Sequence, residues 1–137
     1  MARDKFHHEV KAALEADGWI ITDDPLYLKI GNMQVQIDLG AERIIAAEKQ
    51  GEKIAIEIKT FGLPSFITAL YEAVGKYLIY LEALQYLKSD RTLYLAMPIK
   101  VYKEFCEEPI VKNTFQKYGI KIILYKPLSK DKMQWIK

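Results

Sequence analysis

A carboxylate and an ammonium group interrupt a short apolar run near the middle of the chain. The run is IAIEIKTF, residues 54–61, and its charged residues are Glu57 and Lys59. Because side chains alternate between the two faces of a β-strand, Glu57 and Lys59 share one face and the isoleucines share the other. Two interpretations follow: a half-buried strand whose polar face meets solvent, or a strand that carries part of a reactive site.

A second carboxylate, Asp38, lies in the preceding alternating segment MQVQIDL, residues 33–39. If residues 33–61 fold as consecutive antiparallel strands, Asp38 and Glu57 converge across the sheet. Neighbouring carboxylates repel each other unless a proton or a cation lies between them. Oxygen ligands of this kind suit Mg²⁺ or Mn²⁺, which also accept phosphate oxygens. Lys59 would lie beside the metal, where its ammonium can orient a water molecule and stabilise charge on a phosphate.

Two further glutamates are candidates for the same acidic site. Glu9 belongs to the predicted first helix, where a solvated helix glutamate is an equally good explanation. Glu48 lies on a predicted strand and ranks below Glu9. The histidines add no metal site, because His7 and His8 are adjacent, whereas two helical histidines that bind one metal are normally three or four residues apart. We interpret both histidines as surface or flanking residues.

Hydrophobic periodicity predicts a first helix, a block of strands, a second helix, a strand, a third helical segment and a last strand. Residues 3–17 are typical of a helix that ends at Gly18, and residues 65–88 are typical of a long second helix. Residues 99–118 predict a third helical segment, which Pro109 breaks or restarts. We therefore expect a mixed α/β domain whose central sheet is covered by helices. The predicted strands are residues 27–30, 33–39, 42–49, 53–61, 92–97 and 120–125.

Length and composition limit the possible classes of protein. The 137 residues suit one domain, residues 1–137, and a charged fraction of 28% is typical of a soluble protein. No run approaches the roughly 20 apolar residues of a membrane span, and the N-terminal MARDKFHHEV lacks a signal-peptide core. We expect a cytoplasmic protein without a membrane partner. The single cysteine, Cys106, excludes an internal disulfide, and the net charge of +2 does not by itself indicate DNA binding.

The arrangement of the charged residues resembles the PD-(D/E)XK nuclease superfamily. Asp38 is followed on the next strand by Glu57, Ile58 and Lys59, with a helix before them and a helix and strand after. The superfamily core has the order αβββαβ, and residues 3–97 match it. The resemblance implies a restriction-endonuclease-like core with a mixed central sheet, extended here by a C-terminal helix and strand.

The same resemblance implies roles for individual residues. The divalent metal, Mg²⁺ or Mn²⁺, would be bound by Asp38, Glu57 and the backbone carbonyl of Ile58. Lys76 would occupy a position on the helix after the motif that other members also use. The implied catalytic residues are Asp38, Glu57, Lys59 and Glu9.

Three longer runs narrow the resemblance to the XisH family, across nearly the whole chain. The runs are HHEVKAALEADGWIITDDPLYLKIG, DLGAERIIAAEKQGEKIAIEIKTF and ALYEAVGKYLIYLEAL. XisH proteins are cyanobacterial controlling factors for excision of the fdxN element, a DNA segment removed during heterocyst development. The resemblance implies a partner from the XisI family and a role in DNA rearrangement, with a separate recombinase carrying out strand exchange.

Two functions are therefore expected. The first is a metal-dependent endonuclease-like protein that acts on DNA in the excision of a genomic element. The alternative is a non-catalytic controlling factor that binds an XisI-type partner and regulates a site-specific recombinase. Because many enzymes of this fold cut duplex DNA as dimers, a homodimer is a further expectation.

Overall fold

A computed structural model describes residues 7–24, 26–35, 44–59, 61, 65–126 and 133–136. None of the helices in these ranges is long and apolar enough to cross a membrane. The helices are α1 (His7–Ala16), α2 (Phe66–Tyr86), α3 (Ile99–Val101), which continues into a π-helical turn (Tyr102–Cys106), and α4 (Pro109–Lys117). The strands are β1 (Ile20–Asp23), β2 (Leu28–Ile30), β3 (Met33–Val35), β4 (Ile44–Lys49), β5 (Glu52–Ile58), β6 (Thr92–Pro98), β7 (Ile122–Tyr125) and β8 (Gln134–Ile136).

Six strands form a central sheet in the order β1-β4-β5-β6-β7-β8. β4 is antiparallel to β1 and β5, while β5, β6 and β7 are parallel to one another, and β8 is antiparallel to β7. The predicted α/β class with a mixed central sheet is confirmed. Gln50 and Gly51 connect β4 to β5, and their φ angles of 51° and 84° are those of a two-residue hairpin turn with both residues in the left-handed region.

The strand before β5 in the central sheet is β4, and β3 lies outside that sheet. β3 pairs with β2 in a separate two-stranded sheet, with Leu28 opposite Val35. β4 takes the position next to β5. The expectation of consecutive antiparallel strands over residues 33–61 is correct for β4 and β5, whereas β3 pairs with β2 and residues 36–43 lie outside the described residues. Gly31 favours the local pairing of β2 with β3, because its φ of 56° allows a tight turn between them.

Both faces of the central sheet are covered by other elements. On one face, which we call the α2 face, α2 and the C-terminal helices pack on alternate strand residues. These strand residues are Ala55, Leu93, Leu95, Met97, Ile122 and Leu124. On the opposite face, the α1 face, Val10 and Leu14 of α1 pack against a second set of buried residues. That set includes Trp19, Ala47, Ile54, Ile56, Ile58, Tyr94, Ala96, Ile123 and Tyr125.

The edges of the central sheet differ most from the prediction, whereas the third helical segment is broken and restarted at Pro109 as predicted. β1 and β8 are not predicted by the sequence pattern, and each has one neighbour in the central sheet. Their four and three residues are too few to establish a period of two. In the third helical segment, Pro109 starts α4, where its missing N–H would have no helical partner anyway.

His7 is a buried residue, and its interpretation as a surface residue is wrong, whereas His8 is exposed. Nε2 of His7 lies 3.0 Å from Oδ2 of Asp24, and Nζ of Lys11 donates a 3.0 Å hydrogen bond to the same oxygen. Burial acts to raise the pKa of Asp24, but the hydrogen bonds from Lys11 and His7 lower it overall. This cluster ties the start of α1 to the segment after β1.

Candidate active site

Glu57 on β5 and Lys59, which directly follows the strand, both lie inside the protein. Every residue from 54 to 59 is buried, with Glu57 fully buried and Lys59 4% exposed. The interpretation of a half-buried strand with its polar face in solvent is therefore wrong, because α2 covers that face. A buried charge costs free energy unless it is paired or hydrogen-bonded. The surroundings of the two groups therefore decide what this part of the strand can do.

Glu57 lies in the interior of the central sheet, opposite Ile44 of β4 and Leu95 of β6. Lys59 directly follows β5, and its backbone N–H donates a 2.9 Å hydrogen bond to the carbonyl of Ala96. Because β5 and β6 are parallel, both charged residues lie towards the carboxyl ends of these strands. In open α/β sheets, ligands bind outside the carboxyl ends of parallel strands. Glu57 and Lys59 are thus located where a ligand-binding site is expected.

The ammonium group of Lys59 is held by α2. Its Nζ donates a 2.8 Å hydrogen bond to Oε1 of Glu72, and Nζ of Lys76 lies 3.9 Å from the same oxygen. The hydrogen bond from Lys59, followed by the charge of Lys59, lowers the pKa of Glu72. Glu72 is therefore ionised at neutral pH. It connects a buried ammonium to the protein surface, where its own side chain is 48% exposed.

Glu72 is the site residue that sequence reasoning misses. Glu72 on α2 and Lys59 after β5 are 13 positions apart in the sequence, and no helical or strand periodicity predicts a contact between them. The only visible signal is the i,i+4 spacing of Glu72 and Lys76, which is typical of an exposed helix pair. Lys76, which the resemblance places after the motif, is brought near Lys59 through this shared carboxylate.

Tyr77 of α2 lies where the negative charge of Glu57 acts on the pKa of its hydroxyl. Its hydroxyl donates a 2.8 Å hydrogen bond to the carbonyl of Leu93 and accepts a 3.1 Å hydrogen bond from the N–H of Lys121. Burial raises the pKa of Tyr77, and the negative charge of Glu57 contributes in the same direction. Tyr77 on α2 and Glu57 on β5 therefore both face the space between the helix and the sheet, where additional negative charge is disfavoured.

The other predicted acids have different positions. Asp38 lies outside the described residues, so its role as a metal ligand stays a prediction. Glu9 belongs to α1, which packs on the face opposite to the one that carries Glu57. Glu48 is four register positions from Ile44, the residue opposite Glu57, which separates the two glutamates by about 13 Å along the strand. Glu48 therefore does not join Glu57, and no group of three or more His, Cys, Asp or Glu residues in the described ranges could hold a metal ion.

The sequence matches the family model of the XisH protein over residues 1–133. The chain belongs to the XisH family. An fdxN element excision controlling factor protein from Anabaena variabilis is 38% identical, with a TM-score of 0.87 over 96% of this chain and 98% of that chain. An XisH family protein from Nostoc punctiforme PCC 73102 is also 38% identical, with a TM-score of 0.88 over 98% of this chain and 100% of that chain. No curated protein matches the sequence significantly.

The XisH resemblance seen in the three sequence runs is thereby confirmed. The two similar structures cover almost the entire chain. At this level of identity and coverage, the similarity concerns the whole fold and is not confined to a local motif. Glu57 and Lys59 are thus buried residues of an XisH-family fold.

Proposed function

We propose that this XisH-family chain is a metal-dependent endonuclease-like protein that acts on DNA in the excision of a genomic element. The observation that carries the proposal is the burial of Glu57 and Lys59 on one face of β5, at the carboxyl end of the strand. Removing a carboxylate and an ammonium from water costs several kcal/mol for each ion, and apolar residues would fill the same space without that cost. Charges that are buried in this way, towards the carboxyl end of a strand where ligands bind, are typical of a functional site.

The order of elements supports a nuclease-type core. The elements that build or cover the central sheet follow one another as α1, β1, β4, β5, α2 and β6, with the β2–β3 hairpin as an insertion. This order is αβββαβ, which is the core order that the resemblance to PD-(D/E)XK nucleases implies. In that order β5 is the third strand and carries Glu57 immediately before Ile58 and Lys59.

The donor atoms at the end of β5 fit a small divalent cation. Glu57 offers carboxylate oxygens, and Ile58, the last residue of β5, offers a backbone carbonyl. Oxygen donors of this kind are those that Mg²⁺ and Mn²⁺ prefer. These two residues, with Asp38 as the second carboxylate, would hold the metal. The metal would supply stabilisation of the negative charge on a phosphate oxygen.

The residues of the chain itself have separate tasks in this proposal. Lys59 provides a fixed positive charge, and its dry surroundings strengthen its attraction for the charge that develops on a phosphate. Glu72 fixes the position of that ammonium through the 2.8 Å hydrogen bond. A side chain that is already positioned needs less reorganisation when the substrate reacts, which is the physical basis of preorganised catalysis.

The experiment that tests the proposal is Mn²⁺-dependent cleavage of linear, supercoiled and branched DNA. The wild type is compared with Lys59→Ala and with Lys53→Ala as a matched control. Lys53 lies on the same strand, but its ammonium is at the surface, 3.8 Å from Asp90. We expect the wild type and Lys53→Ala to cut DNA and Lys59→Ala to lose the activity. Absence of cleavage by the wild type would overturn the nuclease proposal.

A second function is favoured by an exposed apolar stripe on α2. Ile67, Tyr71, Ile79 and Tyr86 are between 46% and 69% exposed, and their spacing places them on one side of the helix. Exposed apolar patches often mark protein–protein interfaces. We propose as the alternative that the chain is a non-catalytic controlling factor, which binds an XisI-family protein through this stripe and regulates a site-specific recombinase. The description of the Anabaena variabilis relative as a controlling factor supports this alternative.

Co-purification with an XisI-type protein tests the alternative. We expect Tyr71→Glu to abolish the complex, while Tyr118→Glu, an exposed tyrosine that follows α4, leaves it intact. Light scattering on the chain alone measures self-association. Dispersal of a homodimer by Tyr71→Glu would assign the stripe to a second copy of the chain instead. Excision that continues with Glu57→Gln would favour the controlling factor over the nuclease.

A further inference from the structure

A cavity of about 460 Å³ opens at the other end of β5, far from Lys59. Its volume lies within the range of roughly 300–1,000 Å³ that is usual for ligand pockets. The cavity is on the α1 face, next to the turn that joins β4 to β5 and beside β8. Its lining residues are Asp17, Trp19, Lys49, Gln50, Glu52 and Trp135.

Both tryptophans of the chain form the wall of this cavity. Trp19 and Trp135 are stacked, with ring centroids 5.6 Å apart and planes 25° from parallel. Tyr94 is perpendicular to Trp135, at 89° with ring centroids 5.0 Å apart, and packs against this wall. Trp19 is buried, while Trp135 on β8 is partly exposed. Because the faces of aromatic rings attract cations and stack with flat groups, the wall favours a ligand with one or both properties.

The described polar residues that line the cavity are acidic overall, with two carboxylates and one ammonium. Nζ of Lys49 lies 3.6 Å from Oδ2 of Asp17 and 6.0 Å from the ring centre of Trp19. Gly18 leaves room for this lysine, since a Cβ at position 18 would lie 3.3 Å from Cε of Lys49. The chain thus already places a cation of its own between a carboxylate and an indole ring. Glu52 and Trp135 supply a second carboxylate and a second indole in the same cavity.

The charge of Glu52 acts on the aromatic wall. Burial raises the pKa of Tyr94, and the negative charge of Glu52 contributes to the same shift. Glu52 precedes Ile54 by two positions on β5, which places both side chains on the α1 face. A cation in the cavity would therefore be attracted by a carboxylate and an aromatic face at the same time.

We propose that this cavity binds a guanidinium group, which stacks on Trp135 and donates hydrogen bonds to Glu52. A guanidinium is flat, always charged, and matches a carboxylate with two parallel N–H groups, whereas an ammonium is a point charge without a plane to stack. The cavity offers both the plane and the carboxylate. The group can belong to an arginine side chain of another protein or to free arginine.

Gln50 adds a neutral acceptor at the rim of the cavity. It adopts a φ of 51°, a conformation that favours Gly, Asn or Asp at this turn position. A residue that is kept in an unfavourable backbone conformation suggests a use for its side chain. The amide oxygen of Gln50 can accept a further N–H of the guanidinium.

A nucleobase is the competing ligand, since bases also stack on tryptophan. Each nucleotide of a nucleic acid carries a phosphate on its sugar, and protein binding depends strongly on cations that neutralise this phosphate. Asp17 and Glu52 outnumber Lys49 in this cavity. The charge of the lining therefore favours a cation over a nucleotide.

Tryptophan signals report on this cavity alone, because the chain has two tryptophans and both line it. N-acetyl-L-arginine amide is titrated into the protein while tryptophan fluorescence and the two indole N–H signals in NMR spectra are recorded. N-acetyl-L-citrulline amide, which has the same shape without the charge, is the matched ligand control. We expect saturable binding of the arginine compound and binding of the citrulline compound that is weaker by about tenfold or more.

Two variants locate the binding site. Glu52→Gln is expected to weaken binding of N-acetyl-L-arginine amide by about tenfold, because a charged hydrogen bond becomes a neutral one. Glu82→Gln, at an exposed glutamate on α2, is expected to leave binding unchanged. Unaltered tryptophan spectra of the unliganded variants show that each one is folded.

Free L-arginine in the same titration separates the two sources of the group. Free L-arginine has an α-ammonium and an α-carboxylate, which the blocked compound and an arginine within a protein chain lack, so binding of the blocked compound alone would assign the cavity to an arginine of a partner protein. Equal or tighter binding of free arginine would assign it to the amino acid. Equal binding of arginine and citrulline compounds, an unchanged affinity in Glu52→Gln, or saturation by cytidine instead would overturn the proposal. None of these results depends on whether the chain cuts DNA.

Discussion

The two ends of β5 place glutamates in opposite environments. Glu57, near the carboxyl end, is fully buried on the α2 face. Glu52, at the start of the strand, is exposed and lines an aromatic cavity. Glu52 and Glu57 are five positions apart, which corresponds to about 17 Å along a strand. Because this spacing is odd, their side chains point to opposite faces of the sheet. One strand therefore supplies a carboxylate to a buried site at its Glu57 end, the dry end, and to a solvent-exposed site at its Glu52 end, the wet end.

This difference determines what each end can bind. At the Glu57 end, the ion pair of Lys59 and Glu72 is partly in the core, where charges interact strongly and exchange partners only when the surrounding packing opens. At the Glu52 end, solvent competes with every charge, so individual contacts are weak and exchange readily. The dry end suits a tightly held metal and a preorganised reaction. The wet end suits reversible recognition of a partner group.

The largest expected effect is at the dry end, from Glu57→Gln. The substitution keeps the shape of the side chain but removes a charge that would bind the metal. We expect Mn²⁺-dependent DNA cleavage to fall by about 100-fold or more, as when one charge-stabilising group of an active site is lost. Initial rates on supercoiled DNA and Mn²⁺ affinity by calorimetry measure the effect.

Glu48→Gln is the matched control for Glu57→Gln. Glu48 lies on β4 opposite Lys53, at the wet end of the hairpin. We expect its cleavage rate to equal that of the wild type. If both variants lose activity equally, the contrast between the two ends has no bearing on catalysis.

Tyr77→Phe is expected to have the next largest effect, on stability. The change removes a hydroxyl that bonds both the carbonyl of Leu93 and the N–H of Lys121. Leaving buried backbone groups without this partner is expected to lower the free energy of unfolding by about 1–3 kcal/mol, measured by urea denaturation. Tyr71→Phe, at an exposed position on the same helix, is expected to change stability by less than about 0.5 kcal/mol. Similar losses in the free energy of unfolding in both variants would show that solvent reaches the α2 face more than its burial indicates.

The sequence predicts the elements with a clear period far better than those defined by distant partners. α2 has 21 residues and β5 has seven, so the helical and alternating patterns are long enough to recognise. β1 and β8 are short edge strands, and their pairing depends on where β4 and β7 lie. Local spacing carries no information about that.

The candidate site divides in the same way. Alternation predicts that Glu57 and Lys59 share a face, but it does not predict that α2 covers it. The contact between Lys59 and Glu72 follows from helix packing and is invisible in the sequence. The cavity is harder still, because Trp19 and Trp135 come from opposite ends of the chain and meet only when β8 joins the sheet.

Glu72→Gln tests how much the ion pair between Glu72 and Lys59 stabilises the protein at the dry end. Lys59 lowers the pKa of Glu72 from 4.5, so the pair stabilises the folded state above about pH 4.5, and that stabilisation is lost as the pH falls and Glu72 is protonated. Because Glu72 is 48% exposed, solvent screening limits the effect to about 1 kcal/mol. We expect Glu72→Gln to lower the free energy of unfolding by about this amount at about pH 7 and to have little effect at about pH 3. An equal loss at both pH values would contradict the assigned ion pair.

The smallest expected effect on stability is at the wet end, from Lys49→Gln. Its ion pair with Asp17 and its position over Trp19 are both partly exposed, so the free energy of unfolding should fall by about 0.5 kcal/mol or less. The same change removes the one cation among the described residues that line the cavity, and it leaves Asp17 to attract a ligand. Binding of N-acetyl-L-arginine amide, followed by tryptophan fluorescence, should therefore become tighter by about threefold. Weaker binding would mean that Lys49 helps to shape the cavity and does not compete with the ligand, and a stability loss as large as that of Tyr77→Phe would remove the contrast between the two ends of β5.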